Sequence, residues 1–214
     1  MKIIYLLLIF VFPFSKIWAQ ETVILNFKPI IENTDSLSIE TFKMYISSIQ
    51  FNYIDGSQYK EENSFHLLDT QQEKSLSLRF SDIKLKPIKS IYFNIGIDST
   101  TNVSGAMGGD LDPTKGMYWA WQSGYINFKL EGKNKQCNSR NNEFTLHLGG
   151  YSFPYNSLQK VELNIESNLN TINIEIDLMR FLKSIKIKNN HHIMSPSKNA
   201  MMMANKIPEI FSIK

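Results

Sequence analysis

The sequence predicts an all-β protein, an antiparallel β-sandwich of Ig-like or jelly-roll-like type with a short C-terminal helix. Three observations predict it. Apolar residues recur at every second position in run after run, and Asn, Gly, Ser or Pro clusters bound each run. No helical segments intervene, which favours an antiparallel sandwich or barrel over a βαβ fold. The composition, 43% hydrophobic and 20% charged over 214 residues, supports a packed core and argues against a disordered or coiled-coil chain.

At the N-terminus, Lys2 is followed by the apolar run Ile3 to Phe14 and then by Ser15, Lys16, Ile17, Trp18 and Ala19. That is a basic n-region, an h-region and a small-residue cleavage site. Residues 1–19 therefore read as a signal peptide cleaved after Ala19, and residues 20–214 as one exported domain, periplasmic or extracellular. The h-region of 12 residues is shorter than the ~20 that cross a bilayer as a helix, and no later stretch approaches that length. No membrane span is expected, and no Cys follows the cleavage point to take a lipid anchor. Without Lys2 and Lys16 the basic count falls from 23 to 21, against 20 acidic residues. Such a near-neutral chain gives no electrostatic reason to bind nucleic acid. Cys137 stands alone, so neither an intramolecular disulfide nor a Cys-based zinc site can form.

The first strand is marked by Val23, Leu25 and Phe27. In the next stretch Phe42, Met44 and Ile46 share one phase, while Ile49, Phe51 and Tyr53 share the other. A bulge near Ser47 and Ser48 keeps both sets inward, with a helix as the alternative. Ile91, Phe93, Ile95 and Ile97 mark a further strand, as do Ile126, Phe128 and Leu130, then Phe144, Leu146 and Leu148. Val161, Leu163 and Ile165 follow, and then Ile172, Ile174 and Ile176. Ser195 with Pro196 reads as a cap and first-turn proline for a helix through Ala200 to Ala204, ended before Pro208.

Between two of these strands lies a 19-residue connection from Asp98 to Gly116, a length that is uncommon inside a compact domain and often functional. Its Asp, Asn and Gly residues build turns or, as an alternative, supply oxygens to calcium without EF-hand spacing. The strand after it carries Trp119 and Trp121, two apart and hence on one face. Continuing the phase of Ile126, Phe128 and Leu130 turns that face outward, and a bulge at Gly124 would reverse it. His147 alternates with Leu146 and Leu148 and so also faces away from the core. It shares a face with the tryptophans if the strand through Phe128 pairs with the strand through Leu146. His66 opposes Phe65 and Leu67 in the same manner. The tail holds His191, His192, Met194 and Met201 to Met203, a soft imidazole and thioether set suited to Cu(I), or else simple helix packing.

The stretch GMYWAWQSGYINFKLEG from Gly116 to Gly132, with GIDSTTNVSGAMGGDLDP before it and FTLHLGG from Phe144 to Gly150 after it, resembles the MbnP-like family of exported bacterial proteins. The likeness is to the branch found in Bacteroidota, and it extends to YISSIQF, HLLD and the HHIMSP tail. The resemblance implies copper as cofactor, held by histidines together with a tryptophan oxidised to kynurenine, and a dihaem oxidising partner of the MauG type. On matching positions it implies Trp121 or Trp119 as the modified residue, His147 as the principal imidazole ligand and His66 as a weaker one. The paired cysteines of some family members are missing here. Kynurenine fits such a role because it exposes an aromatic amine and a ketone where indole has only a hydrogen-bond donor.

Three function classes follow. One is an exported copper-binding protein for acquisition, storage or handling. Another is a non-catalytic module that stacks a glycan or docks a protein on exposed Trp119, Trp121 and Tyr125. The last is an enzyme, which the sequence does not favour: it has no nucleophile elbow, HExxH or phosphate loop.

Overall fold

Val23, Leu25 and Phe27 project to one side of the first strand and meet the inward residues of a second sheet, and the fold is built on that apposition. The computed structural model describes residues 22–81, 83, 85–167 and 170–214. The expected signal peptide lies outside the described residues. The strands are β1 (Thr22–Ile30), β2 (Leu37–Tyr53), β3 (Gln58–Lys60), β4 (Phe65–Asp69), β5 (Ser77–Ser81), β6 (Ile88–Ile95), β7 (Tyr118–Trp119) and β8 (Gly124–Asn134). They continue with β9 (Glu143–Gly149), β10 (Tyr151–Ser152), β11 (Tyr155–Asn156), β12 (Gln159–Ser167), β13 (Thr171–Asp177), β14 (His192–Ile193) and β15 (Phe211–Ile213). Among the described residues three short α-helices join them: α1 (Ser99–Val103), α2 (Leu178–Ser184) and α3 (Lys198–Ala204). Among the described residues no helix is long and apolar enough to cross a membrane.

One sheet has the order β15-β13-β1-β5 and the larger one β12-β6-β2-β8-β9-β14, with β3 and β4 alongside β2 and β7 beside β8. The inward side chains of both sheets form one buried core in which Phe93 meets Phe27 and Phe211 edge-on, with ring centroids 6.0 and 5.4 Å away. Helix α2 closes the core by setting Phe181 against Phe128 at 4.9 Å. The all-β sandwich expected from the alternation is thus what forms. Two pairings depart from a wholly antiparallel arrangement: β1 runs parallel to β13, and β14 parallel to β9. Both pairs are far apart in sequence, so no short hairpin constrains their direction.

The long strand β2 changes phase where expected. Its register with β6 slips between Ser47 and Gln50, Ser48 takes φ 54°, and Phe42, Met44, Ile46, Ile49, Phe51 and Tyr53 all stay buried. The C-terminal helix starts two residues later than read. Ser197, not Ser195, is its cap, its Oγ accepting from Ala200 N at 3.1 Å, and Pro196 stands outside. Helix α2 was not expected; its signal is Asp177, whose carboxylate caps Arg180 N ahead of Leu178, Phe181 and Leu182.

A second, smaller apolar cluster covers the outer face of the larger sheet. It gathers Tyr45, Leu67, Ile97, Leu111, Met117, Trp119, Tyr125 and Ile126. The connection from Asp98 to Gly116 lies over this cluster as α1 and two 3-10 turns. The phenol of Tyr45 donates to Asp110 O at 3.0 Å, while that of Tyr125 accepts from Met107 N and donates to Leu111 O. Ile126 belongs here and not with Phe128, which corrects the expected phase. The β8–β9 register slips between Ile126 and Phe128, leaving the buried Asn127 as the extra residue. Its amide accepts from Ile97 N and donates to Ser157 Oγ, so the bulge anchors the start of the covering segment.

Candidate functional site

Strands β8 and β9 pair directly, with Lys129 opposite His147 and Phe128 opposite Leu148. Leu146 and Leu148 point into the main core, so His147 lies on the outer face. There it ends a row that runs across four strands, Asp69, Lys43, Lys129 and His147, each opposite the next. Lys43 pairs with Asp69 at 2.9 Å and donates to Lys115 O, while Lys129 donates to Gly116 O. These lysines therefore pin the end of the covering segment to the sheet.

Although it faces outward, His147 is only 6% exposed. Its Nε2 lies 2.7 Å from Glu131 Oε1. Burial pushes the imidazole pKa down and Lys129 adds to this, outweighing the pull of Glu131, so the ring is neutral at pH 7. Burial of Glu131 works toward a higher pKa, but the hydrogen bond from His147 and the charge of Lys129 prevail and hold it below the usual carboxylate range. An ionised carboxylate only accepts, so Nε2 carries the proton and donates. The lone pair is left on Nδ1, which is buried and has no hydrogen-bond partner among the described residues. A ring held by a carboxylate on one nitrogen with the other nitrogen free is the arrangement of a metal-ligating histidine.

The tryptophans do not lie on one continuous strand. Residues 120–123 form a tight turn, Ser123 takes φ 50°, and β7 folds back on β8 with Trp119 opposite Gly124. Trp119 is consequently buried, at 5% exposure, and Trp121 is exposed at 68%. Their rings remain neighbours, with centroids 6.1 Å apart. The Trp119 indole packs against Gly149, where a Cβ would come within 2.6 and 2.9 Å of two of its ring carbons. Gly149 is two residues along β9 from His147 and on the same face, so the indole and the imidazole share this strand. The indole Nε1 is likewise buried and without a partner among the described residues. Indole nitrogen is a donor only, so Trp119 in its native form cannot ligate a metal.

His66 does not join this group. It sits opposite Ile46 on the face of β2 and β4 turned to the main core, hydrogen-bonds Glu61 at 2.8 Å and meets Phe80 edge-on. The loop carboxylates are also committed elsewhere: Asp98 and Asp112 cap turns, and Asp110 accepts from Leu67 N and pairs with Lys115. Nor do Trp119, Trp121 and Tyr125 form an exposed platform, since Tyr125 is 1% exposed. In the tail, Met203 packs in the core and His191 bonds Lys188 O, while His192 lies on the edge strand β14. Among the described residues no three His, Cys, Asp or Glu side chains converge as a ready metal cage.

Sequence reading did not single out Glu131 or Gly149. Both had a signal: Glu131 shares the outward parity of Lys129, and a glycine inside a strand marks close approach of another group.

A two-layer β-sandwich with a covered outer sheet face, where a buried imidazole with one unpartnered nitrogen and a buried indole lie against the same strand, is the class of protein that fold and site define. A model of the MbnP family matches residues 10–202, and the chain belongs to that family. Its fold is similar to that of MbnP from Methylosinus trichosporium, with a TM-score of 0.58 and 13% sequence identity, covering 77% of this chain and 78% of that one. No curated protein matches the chain.

Proposed function

We propose that the chain is an exported copper-binding protein, used in acquisition, storage or handling of the metal rather than in catalysis. The observation that carries this reading is the His147 imidazole, fixed by Glu131 through Nε2 and left with a buried, unpartnered Nδ1. A neutral imidazole nitrogen suits copper. Membership of the MbnP family supports a copper-related role. Copper supplies a soft, redox-active cation; this chain supplies the ligand and excludes water from it.

Trp119 is the second component. Its indole rests against Gly149 of β9, two residues from His147, which favours it over the exposed Trp121 as the residue converted to kynurenine, whose aromatic amine is able to ligate where indole cannot. A dihaem oxidant of the MauG type is the partner that this conversion calls for, and Trp121 is the indole such a partner meets first. Export through residues 1–19 brings the chain to the compartment where that partner works.

Isolating the protein from its own cells, measuring copper per chain and mapping both tryptophan peptides by mass spectrometry tests the reading. Copper at about one ion per chain with Trp119 converted is the expected result. Protein that is free of copper and takes none up on titration overturns it.

A further inference from the structure

The larger sheet ends in β14, which consists of two residues and follows the backbone of β9 in parallel. His192 lies opposite Thr145 and Ile193 opposite Leu146, with Thr145 N donating to His191 O at 2.7 Å. Leu146 and Ile193 both belong to the main core, so the alternation turns His192 to the outer face that also carries His147. Met194 directly follows β14, and continuing the parallel register by one residue would set it level with His147. With strands ~4.8 Å apart and ~3.3 Å of rise per residue, His192 and His147 are diagonal neighbours on one face.

We infer that His192 and Met194 extend the His147 site to the sheet edge, giving a histidine–histidine–thioether set selective for Cu(I). The inference rests on the copper reading above but needs no modified tryptophan. The three groups differ in exposure in a way that suits metal entry. His147 is buried with its Nδ1 unpartnered, whereas His192 is exposed and Met194 is 43% exposed. The outer pair is therefore reachable from solvent, and the inner nitrogen is not. Thioether sulfur is a soft ligand that prefers Cu(I), and the unbranched methionine side chain adapts its reach. His191 is no competitor, because its Nδ1 faces Lys188 O at 3.2 Å. Met202 and Met203 belong to α3, where Met203 is core.

The test uses the full chain, exported with its own leader, and titrates Cu(I) and Cu(II) separately against a chromophoric chelator. His192→Ala and Met194→Leu should each weaken Cu(I) binding by about tenfold or more, since loss of a direct ligand costs at least what loss of a residue that only orients a ligand does. Met194→Leu should leave Cu(II) affinity unchanged, because leucine removes only the soft donor. X-ray absorption of the Cu(I)-loaded wild type should show a sulfur scatterer, a readout that needs no variant, and the scatterer should be absent from Met194→Leu. Unchanged Cu(I) affinity in both variants, with binding abolished in His147→Ala, overturns the inference while leaving the copper reading intact. A wild type that binds neither ion overturns both.

Discussion

His147 and Glu131 act as a unit, and each has a separate measurable consequence. The carboxylate holds the ring in the tautomer that leaves Nδ1 free. Glu131→Ala should therefore lower copper affinity by about 10- to 100-fold while the fold is retained, as removal of a ligand-orienting partner does elsewhere. Competition titration with circular dichroism on the same sample checks it, and undiminished affinity would sink the assignment of Glu131. Gly149 makes the matching case for the indole. A methyl group there would meet Trp119 at 2.6 Å and Tyr125 O at 2.7 Å, and the strand backbone cannot give way. Gly149→Ala should cost about 1–3 kcal/mol, the usual penalty of overpacking, and should shift Trp119 emission toward that of an exposed indole. Thermal unfolding and fluorescence together decide the point, since a variant with wild-type stability and emission would mean that the ring does not rest on this strand.

At the scale of elements, the covering segment from Asp98 to Gly116 is held by two phenols whose rings meet edge-on at 5.8 Å. Burial pushes the Tyr45 pKa well above its ordinary value, helped by the neighbouring Tyr125 and Asp110. Tyr125 is raised too, chiefly by burial and against the hydrogen bond from Met107. A raised folded-state pKa means that the fold favours the protonated phenol. The stabilisation is full below the ordinary tyrosine value of about 10 and is lost as pH rises toward the folded-state values. Melting temperature should accordingly drop in alkali, and Tyr45→Phe should flatten that drop while costing about 1–3 kcal/mol at neutral pH through the unsatisfied Asp110 carbonyl. Parallel melts of wild type and variant across the alkaline range test this; identical slopes would refute the hold that Tyr45 has on the covering segment. The bulge in β2 offers a different check. Deleting Ser48 would put Ile49, Phe51 and Tyr53 on the wrong face of a strand that is otherwise in register, and no soluble folded protein should result. Recovery of a cooperatively melting deletion variant would show that the phase change is dispensable.

For the whole molecule, Phe128 is the residue on which the layers meet. It is fully buried, and its ring lies 5.5 Å from Phe42 within the sheet and 4.9 Å from Phe181 on α2. Phe128→Ala should cost roughly 3–5 kcal/mol, a large share of the 5–15 kcal/mol that holds a typical domain together. The shift in denaturant midpoint measures it, and a cost below about 1 kcal/mol would contradict the central place given to this ring. The outer face behaves differently, because its small cluster is assembled from a sheet surface and a single covering segment. Changes there should alter the site before they threaten the sandwich.

The amino-acid sequence by itself determined which side chains turn inward along most strands, because the side-chain period of a strand is two and the core takes one phase. It also determined the bulge at Ser47 and Ser48, since two apolar sets of opposite phase cannot otherwise share one core. The outward parity of His147 was legible in the same manner. The tertiary structure decided what that parity meant. His147 is covered because β8 brings Glu131 and Lys129 beside it, and such a register depends on cross-strand packing that periodicity does not encode. Trp119 and Trp121 part company because a tight turn over residues 120–123 ends the strand between them, and the Asn127 bulge, held by hydrogen bonds from Ile97 and to Ser157, resets the phase of β8. His66 fell on the opposite face and His192 beside β9 for the same reason. Non-local pairing, including the parallel union of β14 with β9, chooses neighbours that no stretch of chain specifies alone.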